Sequence, residues 1–376
     1  MTIGPVTTQF CHFAQPFALD SGETLDEITL AYETYGELKA DASNAILVFH
    51  ALTGSQHAAG VNKSVPGVES LWTDECILGW WDDFIGPGKA LDTDLYYVIC
   101  INYLGSCYGS TGPRSQNPRT GRPYGSQFPK ISAADVVRSQ LQLLAHLGID
   151  CLAAAVGGSL GGMLAMLLAT QFPHRVKTVI PLASGFQTTV LQRVQNFEQI
   201  MAIHNDPNFN DGDYYDGPHP KSGIILARMI SHKTFVSLSV LEKRARQEVI
   251  SQEIDGQEYE LSTPIESYMF HQGKKFAERF DANSYLRIMD LWQRYSLEAV
   301  TPEIFKDCGH QQYLVFSVDS DVCFYPEEQF SIVKALELAN VPVKYITVHS
   351  GKGHDSFLLE PELYSPYIRF VLNEEG

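Results

Sequence analysis

Short apolar runs and amphipathic stretches alternate along much of the chain. Residues 28–36 (ITLAYETYG) alternate apolar and polar positions, as a half-buried strand does. Residues 46–49 (ILVF) and 152–156 (LAAAV) are continuously apolar, which suits parallel strands buried on both faces. The stretch AADVVRSQLQLLAHLGI has apolar positions at helical spacing, and Ser132 precedes it as a candidate cap. The pattern therefore predicts strands and helices in alternation.

The order of these elements predicts one interrupted α/β domain. Strand and helix signals alternate at first, and they return with the strand YLVF, the helix PEEQFSIVKALELANV and the strand VKYITV. Between them, residues 185–302 show helix-like segments but few strand signals. We therefore expect a mostly parallel sheet with helices on both faces, formed by residues 1–184 and 303–376, with a helical lid domain inserted at 185–302. A last short helix should have Ser365 as its cap and Pro366 in its first position.

Composition and charge narrow the functional class. The 376 residues carry a formal net charge of −17, which disfavours non-specific binding to nucleic acid or to an anionic membrane. The seven cysteines are odd in number and form no CxxC pair, so reduced thiols fit better than a disulfide framework or a thiolate metal site. The N-terminus lacks the features of a signal peptide, and no run of about eighteen apolar residues occurs. We expect a soluble cytoplasmic protein without a metal.

Four glycines surround one serine at the point where an apolar run meets the next helix. Gly157, Ser159 and Gly161 fit the motif G-x-S-x-G between strand and helix, the context in which this motif presents a nucleophile. Side chains two positions before and after the serine would collide with the adjacent strand and helix, which explains the two glycines. The hydroxyl would then lie at a helix N-terminus, where unpaired N–H groups favour developing negative charge. The alternative is a glycine-rich turn with an incidental serine cap.

A serine nucleophile needs a base, and the base needs an acid that orients it. In α/β folds with this motif the acid and then the histidine follow the serine along the chain. Of the eight histidines beyond Ser159, His354 lies in a glycine-bearing loop just after the strand VKYITV, whereas His349, still at the strand end, is the weaker candidate. Asp319 and Asp321 both follow the strand YLVF, and spacing alone does not choose between them.

Two backbone N–H groups should stabilise the oxyanion of such a reaction. One is the amide of Leu160, directly after the serine, and the other should come from the loop after an earlier strand. HALTG, which follows AILVF, is that loop, and Leu52 is the candidate within it. The alternative for this loop is an ordinary turn at a strand end.

Several long strings together resemble the homoserine O-acetyltransferase family, which has the α/β-hydrolase fold. They include HALTGSQHAAG, GGSLGGM, DPNFNDGDYYDG, ARMISHKTF, ERFDANSYL and GHDSFLL, and the resemblance extends over nearly the whole chain. It implies Ser159 as the nucleophile, Asp321 as the orienting acid and His354 as the base. It also implies that Arg228 holds the homoserine carboxylate and that Asp355 holds its ammonium group, roles that suit a guanidinium and a carboxylate.

The resemblance implies an acyl transfer in two half-reactions. Acetyl-CoA, a co-substrate rather than a permanently bound cofactor, would acylate the serine, and the homoserine hydroxyl would then accept the acetyl group, a step of methionine biosynthesis. A homodimer through the lid helices is implied in the same way. The sequence departs from the family at Leu160, where methionine is frequent, and at Cys323, where leucine is frequent. A sibling transferase that uses succinyl-CoA or serine stays open, and a serine esterase of the same fold is the other alternative.

Overall fold

The computed structural model describes residues 3–245, 261–297 and 302–373. Within these ranges eight strands form one sheet and two short strands pair with each other. In chain order the strands are β1 (Gln9–Phe13), β2 (Phe17–Ala18), β3 (Thr24–Leu25), β4 (Ile28–Tyr35), β5 (Ala45–Phe49), β6 (Tyr97–Ile101), β7 (Leu152–Gly158), β8 (Val176–Leu182), β9 (Gln312–Val318) and β10 (Val343–Val348).

The large sheet has the strand order β1-β4-β6-β5-β7-β8-β9-β10. The pairs β1/β4 and β4/β6 are antiparallel, and every pair from β6 to β10 is parallel. The prediction of a mostly parallel sheet is therefore confirmed. Because the carboxyl ends of parallel strands meet at the same edge of a sheet, the loops after β5, β7, β9 and β10 emerge on one side of the molecule.

The described ranges also contain ten α-helices. They are α1 (Ala133–His146), α2 (Leu160–Gln171), α3 (Val190–His204), α4 (Lys221–Phe235), α5 (Leu238–Ala245), α6 (Pro264–Arg279), α7 (Ala282–Arg294), α8 (Pro326–Leu338), α9 (Ser356–Leu359) and α10 (Pro361–Asn373). Ser132 caps α1 as predicted. Its hydroxyl accepts a hydrogen bond from the Asp135 N–H, and the Asp135 carboxylate accepts one from the Ser132 N–H. The prediction for the last helix is wrong. That helix begins at Pro361, where no N–H is needed, and Pro366 lies inside it.

Alternate residues of the central strands belong to two separate apolar cores. In β5, Leu47 lies in the core that includes α1, α2 and α8, whereas Val48 lies in the core that includes α10. Burial on both faces explains why β5 and β7 are continuously apolar. The prediction of helices on both faces of the sheet is confirmed.

The described chain between β8 and β9 is helical. In this segment α3 packs against α4 and α7, and α4 packs against α6 and against the 3-10 turn Gly353–Asp355 that follows β10. The segment therefore reaches the loops at the carboxyl edge of the sheet. The division into a core and a lid at 185–302 stays a prediction, and it includes residues 246–260 and 298–301, which lie outside the described residues. No helix in the described ranges has both the length and the apolar character needed to cross a bilayer.

Candidate active site

Ser159 is the single residue between β7, which ends at Gly158, and α2, which begins at Leu160. Its backbone has φ 57° and ψ −127°, a conformation that non-glycine residues rarely adopt. Two hydrogen bonds hold it there: its N–H donates to the Leu182 carbonyl (2.9 Å), and the Ser184 hydroxyl donates to its carbonyl (2.8 Å). The junction therefore keeps the serine in a strained geometry, of the kind that clusters at catalytic sites.

The glycines around the serine leave no room for side chains. A Cβ on Gly157 would lie 2.4 Å from the backbone of Gly161, and a Cβ on Gly161 would lie 2.2 Å from the Phe49 carbonyl oxygen on β5. The predicted collisions with the neighbouring helix and strand are therefore confirmed. A Cβ on Gly158 would lie 2.2 Å from the ring of Phe357. The absence of a side chain here lets the segment after β10 pack directly against the serine junction.

Asp321 and His354 form a buried pair. The Oδ2 atom of Asp321 lies 2.7 Å from Nδ1 of His354. The Oδ1 atom accepts the N–H groups of Cys323 (2.7 Å) and Phe324 (2.9 Å), so both carboxylate oxygens have partners. In the neutral imidazole, Nδ1 must carry the hydrogen that it donates to the carboxylate. This leaves Nε2 as the atom that can accept a proton.

The other two candidates for the acid and the base pair with each other. Asp319 Oδ2 lies 2.8 Å from Nδ1 of His349, but the imidazole is 82% exposed and the carboxylate 42% exposed. Water and salt weaken such an exposed pair, whereas Asp321 and His354 are almost fully buried. Spacing left Asp319 and Asp321 as alternatives, and burial separates them.

The surroundings of His354 raise its pKa. The imidazole stacks on the ring of Phe324, with ring centroids 5.4 Å apart. Burial disfavours the charged imidazolium, but the Asp321 carboxylate, with further attraction from Asp355 and Glu328, outweighs burial and raises the pKa of His354. A base with a raised pKa holds an abstracted proton more firmly, which suits the deprotonation of a hydroxyl.

The loop after β5 forms a tight turn at residues 51–54, here called the β5 turn. The Gly54 N–H donates to the Ala51 carbonyl (3.0 Å), and His50 donates to the same carbonyl through Nδ1 (2.7 Å). Burial lowers the pKa of His50 to about 4, so its ring is neutral near neutral pH and serves as a hydrogen-bond donor. Leu52 is the second residue of this turn. The supporting role of His50 was missed, because no spacing rule in the sequence indicates it.

One cavity brings together five of the seven residues predicted for the site. They are Leu52, Ser159, Arg228, His354 and Asp355. Asp321 and Leu160 do not line this cavity. Asp321 contacts His354, and Leu160 follows the serine as the first residue of α2. Five of the seven predicted residues therefore share one cavity, and Asp321 contacts one of the five.

Arg228 and Asp355 give the cavity opposite charges. The guanidinium carbon of Arg228 lies 5.2 Å from the ring centroid of Phe235 and 5.1 Å from that of Phe276. Its Nε is buried and has no hydrogen-bond partner among the described residues. Burial and then the nearby Arg279 guanidinium lower the pKa of Arg228, against the attraction of Asp355, and an arginine still remains charged. A cation and a carboxylate on one cavity suit a zwitterionic ligand.

A second cation, Arg279 at the end of α6, lines the same cavity. It lies in the string ERFDANSYL, which contributed to the family resemblance without indicating a role for this residue. The cavity also has aromatic walls that the sequence did not indicate: Trp80, Phe235, Trp292 and Phe357. These residues come from four separate segments, so no local pattern joins them.

The family model described as "alpha/beta hydrolase fold" matches residues 44–361. The chain belongs to this fold family, as the sheet and the serine junction indicate. A homoserine O-succinyltransferase of Saccharophagus degradans is 42% identical to it over 383 residues, covering 98% of this chain and 97% of the relative. A homoserine O-acetyltransferase of Geotalea uraniireducens is 41% identical over 385 residues, covering 100% of this chain and 98% of the relative.

A solved structure agrees with these relatives. The homoserine O-acetyltransferase from Bacillus anthracis superimposes with a TM-score of 0.87 at 26% identity, covering 99% of this chain and 98% of that chain. The chain belongs to the homoserine O-acyltransferase family of acyl-CoA-dependent enzymes, and it is an acyltransferase. Relatives named acetyltransferases and relatives named succinyltransferases are similar to this chain at 41–42% identity, so membership of the family does not identify the acyl donor.

Proposed function

We propose that this chain is a homoserine O-acetyltransferase, which moves an acetyl group from acetyl-CoA to the homoserine hydroxyl through an ester on Ser159. The observation that carries the proposal is the content of one cavity, where this serine and His354 lie together with Arg228 and Asp355. An esterase needs the serine and the histidine. It has no need of a cation and a carboxylate that match the two charged ends of an amino acid.

In the first half-reaction His354 takes the Ser159 proton at Nε2, and Oγ attacks the thioester carbonyl of acetyl-CoA. Asp321 stabilises the imidazolium that forms. The oxyanion accepts hydrogen bonds from the amides of Leu52 and Leu160, of which the second is free for this task because the first N–H of a helix has no preceding carbonyl to bond. The C–S bond then breaks, and CoA leaves as its thiol with the proton from His354.

In the second half-reaction homoserine binds with its carboxylate on Arg228 and its ammonium group on Asp355. Holding both charged ends limits the positions that its hydroxyl can take beside the acyl ester. His354 removes the hydroxyl proton, the oxygen attacks the ester carbonyl, and O-acetylhomoserine leaves as Ser159 regains the proton. Water competes for the same ester, so the aromatic walls of the cavity favour transfer over hydrolysis.

Mass spectrometry after incubation with acetyl-CoA alone tests the covalent intermediate. We expect the mass of one acetyl group on the peptide that contains Ser159, and no added mass in the Ser159→Ala variant. Homoserine added afterwards should remove the label and yield O-acetylhomoserine. An unlabelled protein that forms product only when both substrates are present would indicate direct transfer and contradict the proposal.

Succinyl transfer is the second candidate, and one observation favours it. Arg279 is a second guanidinium on the cavity, and a succinyl group ends in a carboxylate, which guanidinium groups bind well. Assays with acetyl-CoA and succinyl-CoA, each paired with homoserine and with serine, separate the candidates by product mass. We expect the highest kcat/KM for acetyl-CoA with homoserine. A preference for succinyl-CoA would move the assignment to the sibling transferase.

We also propose that two copies of the chain form a homodimer through the helices between β8 and β9. Exposed apolar side chains repeat along α3 at a spacing that places them on one face of the helix: Val190, Val194, Phe197 and Met201. An exposed apolar stripe is typical of an interaction surface. A second copy would cover this stripe with its own under twofold symmetry.

A further inference from the structure

Arg279 is a guanidinium on the reactive cavity without a close carboxylate. It also lines a second cavity, which shares Thr53 and Gly54 with the first. Within the described chain its ion-pair contact is with Glu75, at the long distance of 4.0 Å, and Glu75 makes a closer pair with Lys275. Balancing a buried acid therefore does not explain why a cation lies here.

The close contacts of the Arg279 side chain are with neutral oxygens. Its Nη1 donates to the Tyr108 hydroxyl (2.9 Å) and to the Thr53 carbonyl (3.3 Å). Tyr108 is almost fully buried, and its hydroxyl donates in turn to the backbone carbonyl of Arg279 (2.7 Å). One nitrogen with two hydrogens thus joins the end of α6 to the β5 turn.

The end of α6 is itself firmly supported. Asp281, which follows shortly after Arg279, caps α7 by accepting the N–H of Ser284 (2.9 Å). The same carboxylate accepts the hydroxyls of Tyr214 (2.7 Å) and Tyr215 (3.1 Å). These bonds fix the corner between α6 and α7, so the guanidinium is presented from a rigid support.

We propose that Arg279 is a positioning residue for the acyl transfer: it holds the Thr53 carbonyl and thereby fixes the β5 turn with the Leu52 amide facing the oxyanion. This inference rests on the proposed function. Leu52 and Thr53 are the two central residues of the turn, and His50 holds the carbonyl at its start. A misplaced oxyanion donor slows both half-reactions with any acyl donor, because both pass through an oxyanion.

Acylation of Ser159 by p-nitrophenyl acetate tests the inference, because this ester contains neither CoA nor homoserine. Arg279→Ala should slow acylation by roughly 10- to 100-fold, the scale expected when a catalytic group is slightly misplaced. Arg279→Lys should recover part of the rate. Guanidinium added to Arg279→Ala at about 20 mM, far below denaturing concentrations, should do the same. A purely structural loss is not restored by a small cation.

Two further variants separate this role from others. Arg294→Ala is the matched control, because it removes a guanidinium from the last residue of α7, where the side chain is exposed and pairs with Asp290. Its acylation rate should equal that of the wild type. Arg228→Ala provides the contrast, since its loss should appear chiefly as a higher KM for homoserine.

Three results would overturn the inference. The first is an unchanged acylation rate in Arg279→Ala. The second is a loss confined to succinyl-CoA or to the homoserine KM, which would make Arg279 a substrate-binding residue. The third is a loss that neither lysine nor guanidinium restores and that accompanies a lower melting temperature. If the wild type forms no ester on Ser159, the proposed function fails as well, whereas an acylated wild type with an unaffected Arg279→Ala rejects this inference alone.

Discussion

His354 and His50 are both buried, yet their surroundings shift their pKa values in opposite directions. Burial disfavours the charged form of each ring, but His354 has the Asp321 carboxylate beside it, and its pKa is raised. His50 has a backbone carbonyl instead, and its pKa falls to about 4. The His354 ring is therefore the one whose protonated form is favoured, while the His50 ring stays neutral near neutral pH and supports the β5 turn.

The rate of acyl transfer should fall in acid because of His354. The base must be neutral, so kcat/KM declines as the pH drops through the His354 pKa, which lies above its usual value of 6.5. Asp321→Asn removes the main attraction that raises this pKa, so the acid limb should move to lower pH. The maximal rate should also fall, by about 10⁴-fold, because the imidazole loses its orientation. Profiles of rate against pH for both proteins check this. If the acid limb stays at the same pH in Asp321→Asn, the limb reports the titration of a group other than His354.

Replacement of Arg228 by alanine should affect the two substrates unequally. The variant would lose the proposed partner of the homoserine carboxylate, and hydrogen bonds to charged groups contribute about 1.5–3 kcal/mol. This corresponds to a rise of roughly 10- to 100-fold in the KM for homoserine, with a much smaller change for acetyl-CoA. Steady-state kinetics with each substrate varied in turn measure the difference. Equal rises for both substrates would argue against the assignment.

At the scale of elements, the junction between β7 and α2 holds one serine in a strained backbone conformation. Ser159 keeps its positive φ because the strand before it and the helix after it are both fixed by packing in the core. The glycines satisfy a local steric requirement, which is why this part of the site could be predicted from the sequence. Their effect extends to the neighbouring strand, since a Cβ on Gly161 would collide with the carbonyl of Phe49 on β5.

Gly161→Ala should therefore damage both stability and activity. The new Cβ would lie 2.2 Å from the Phe49 carbonyl oxygen, and backbone must move to relieve the contact. Overpacking of this kind costs about 1–3 kcal/mol of unfolding free energy, and the displaced serine should be acylated more slowly. Gly309→Ala is the matched control, because a Cβ there meets no atom within 4 Å. Thermal melting and acylation by p-nitrophenyl acetate give the two readouts, and equal behaviour of the two variants would contradict the steric account.

Element boundaries could be predicted where one local rule applies and could not where two positions satisfy the same rule. Ser132 has no competitor as the cap of α1. At the last helix Pro361 and Pro366 both suit a first helical position, and the chain uses the earlier one. β1 was not singled out because Cys11 is its one buried residue, which leaves little alternation to detect.

At the scale of the whole molecule, the parallel strands bring the predicted site residues to one edge of the sheet, and helices between β8 and β9 contribute further walls of the cavity. That Ser159, Asp321 and His354 lie near one another could be predicted, because the loops after parallel strands emerge at the same edge of the sheet. Arg279 could not be assigned a role, since helical periodicity does not determine how a helix docks on a sheet. Spacing did not choose between Asp319 and Asp321, and the choice of Asp321 came from the family resemblance. The burial that distinguishes the two carboxylates is a property of the folded chain.

Phe197→Asp should convert the proposed homodimer into monomers. Phe197 lies in the middle of the apolar stripe on α3 and is 56% exposed, so within one chain an aspartate costs little. In an interface of two such stripes the carboxylate would be buried without a partner and would face its copy across the twofold axis. Size-exclusion chromatography with light scattering measures the change in mass.

Phe370→Asp on α10 is the matched control, because Phe370 is the same residue type and is 57% exposed. The two phenylalanines are exposed to nearly the same extent. If the oligomer depended only on general surface hydrophobicity, both variants would therefore behave alike. An interface through α3 predicts dissociation of Phe197→Asp alone. Dissociation of Phe370→Asp alone would place the interface on α10. A monomeric wild type would contradict the proposed homodimer. Since α3 and α4 pack together and α4 carries Arg228, loss of the dimer should also raise the KM for homoserine if the interface supports that helix pair.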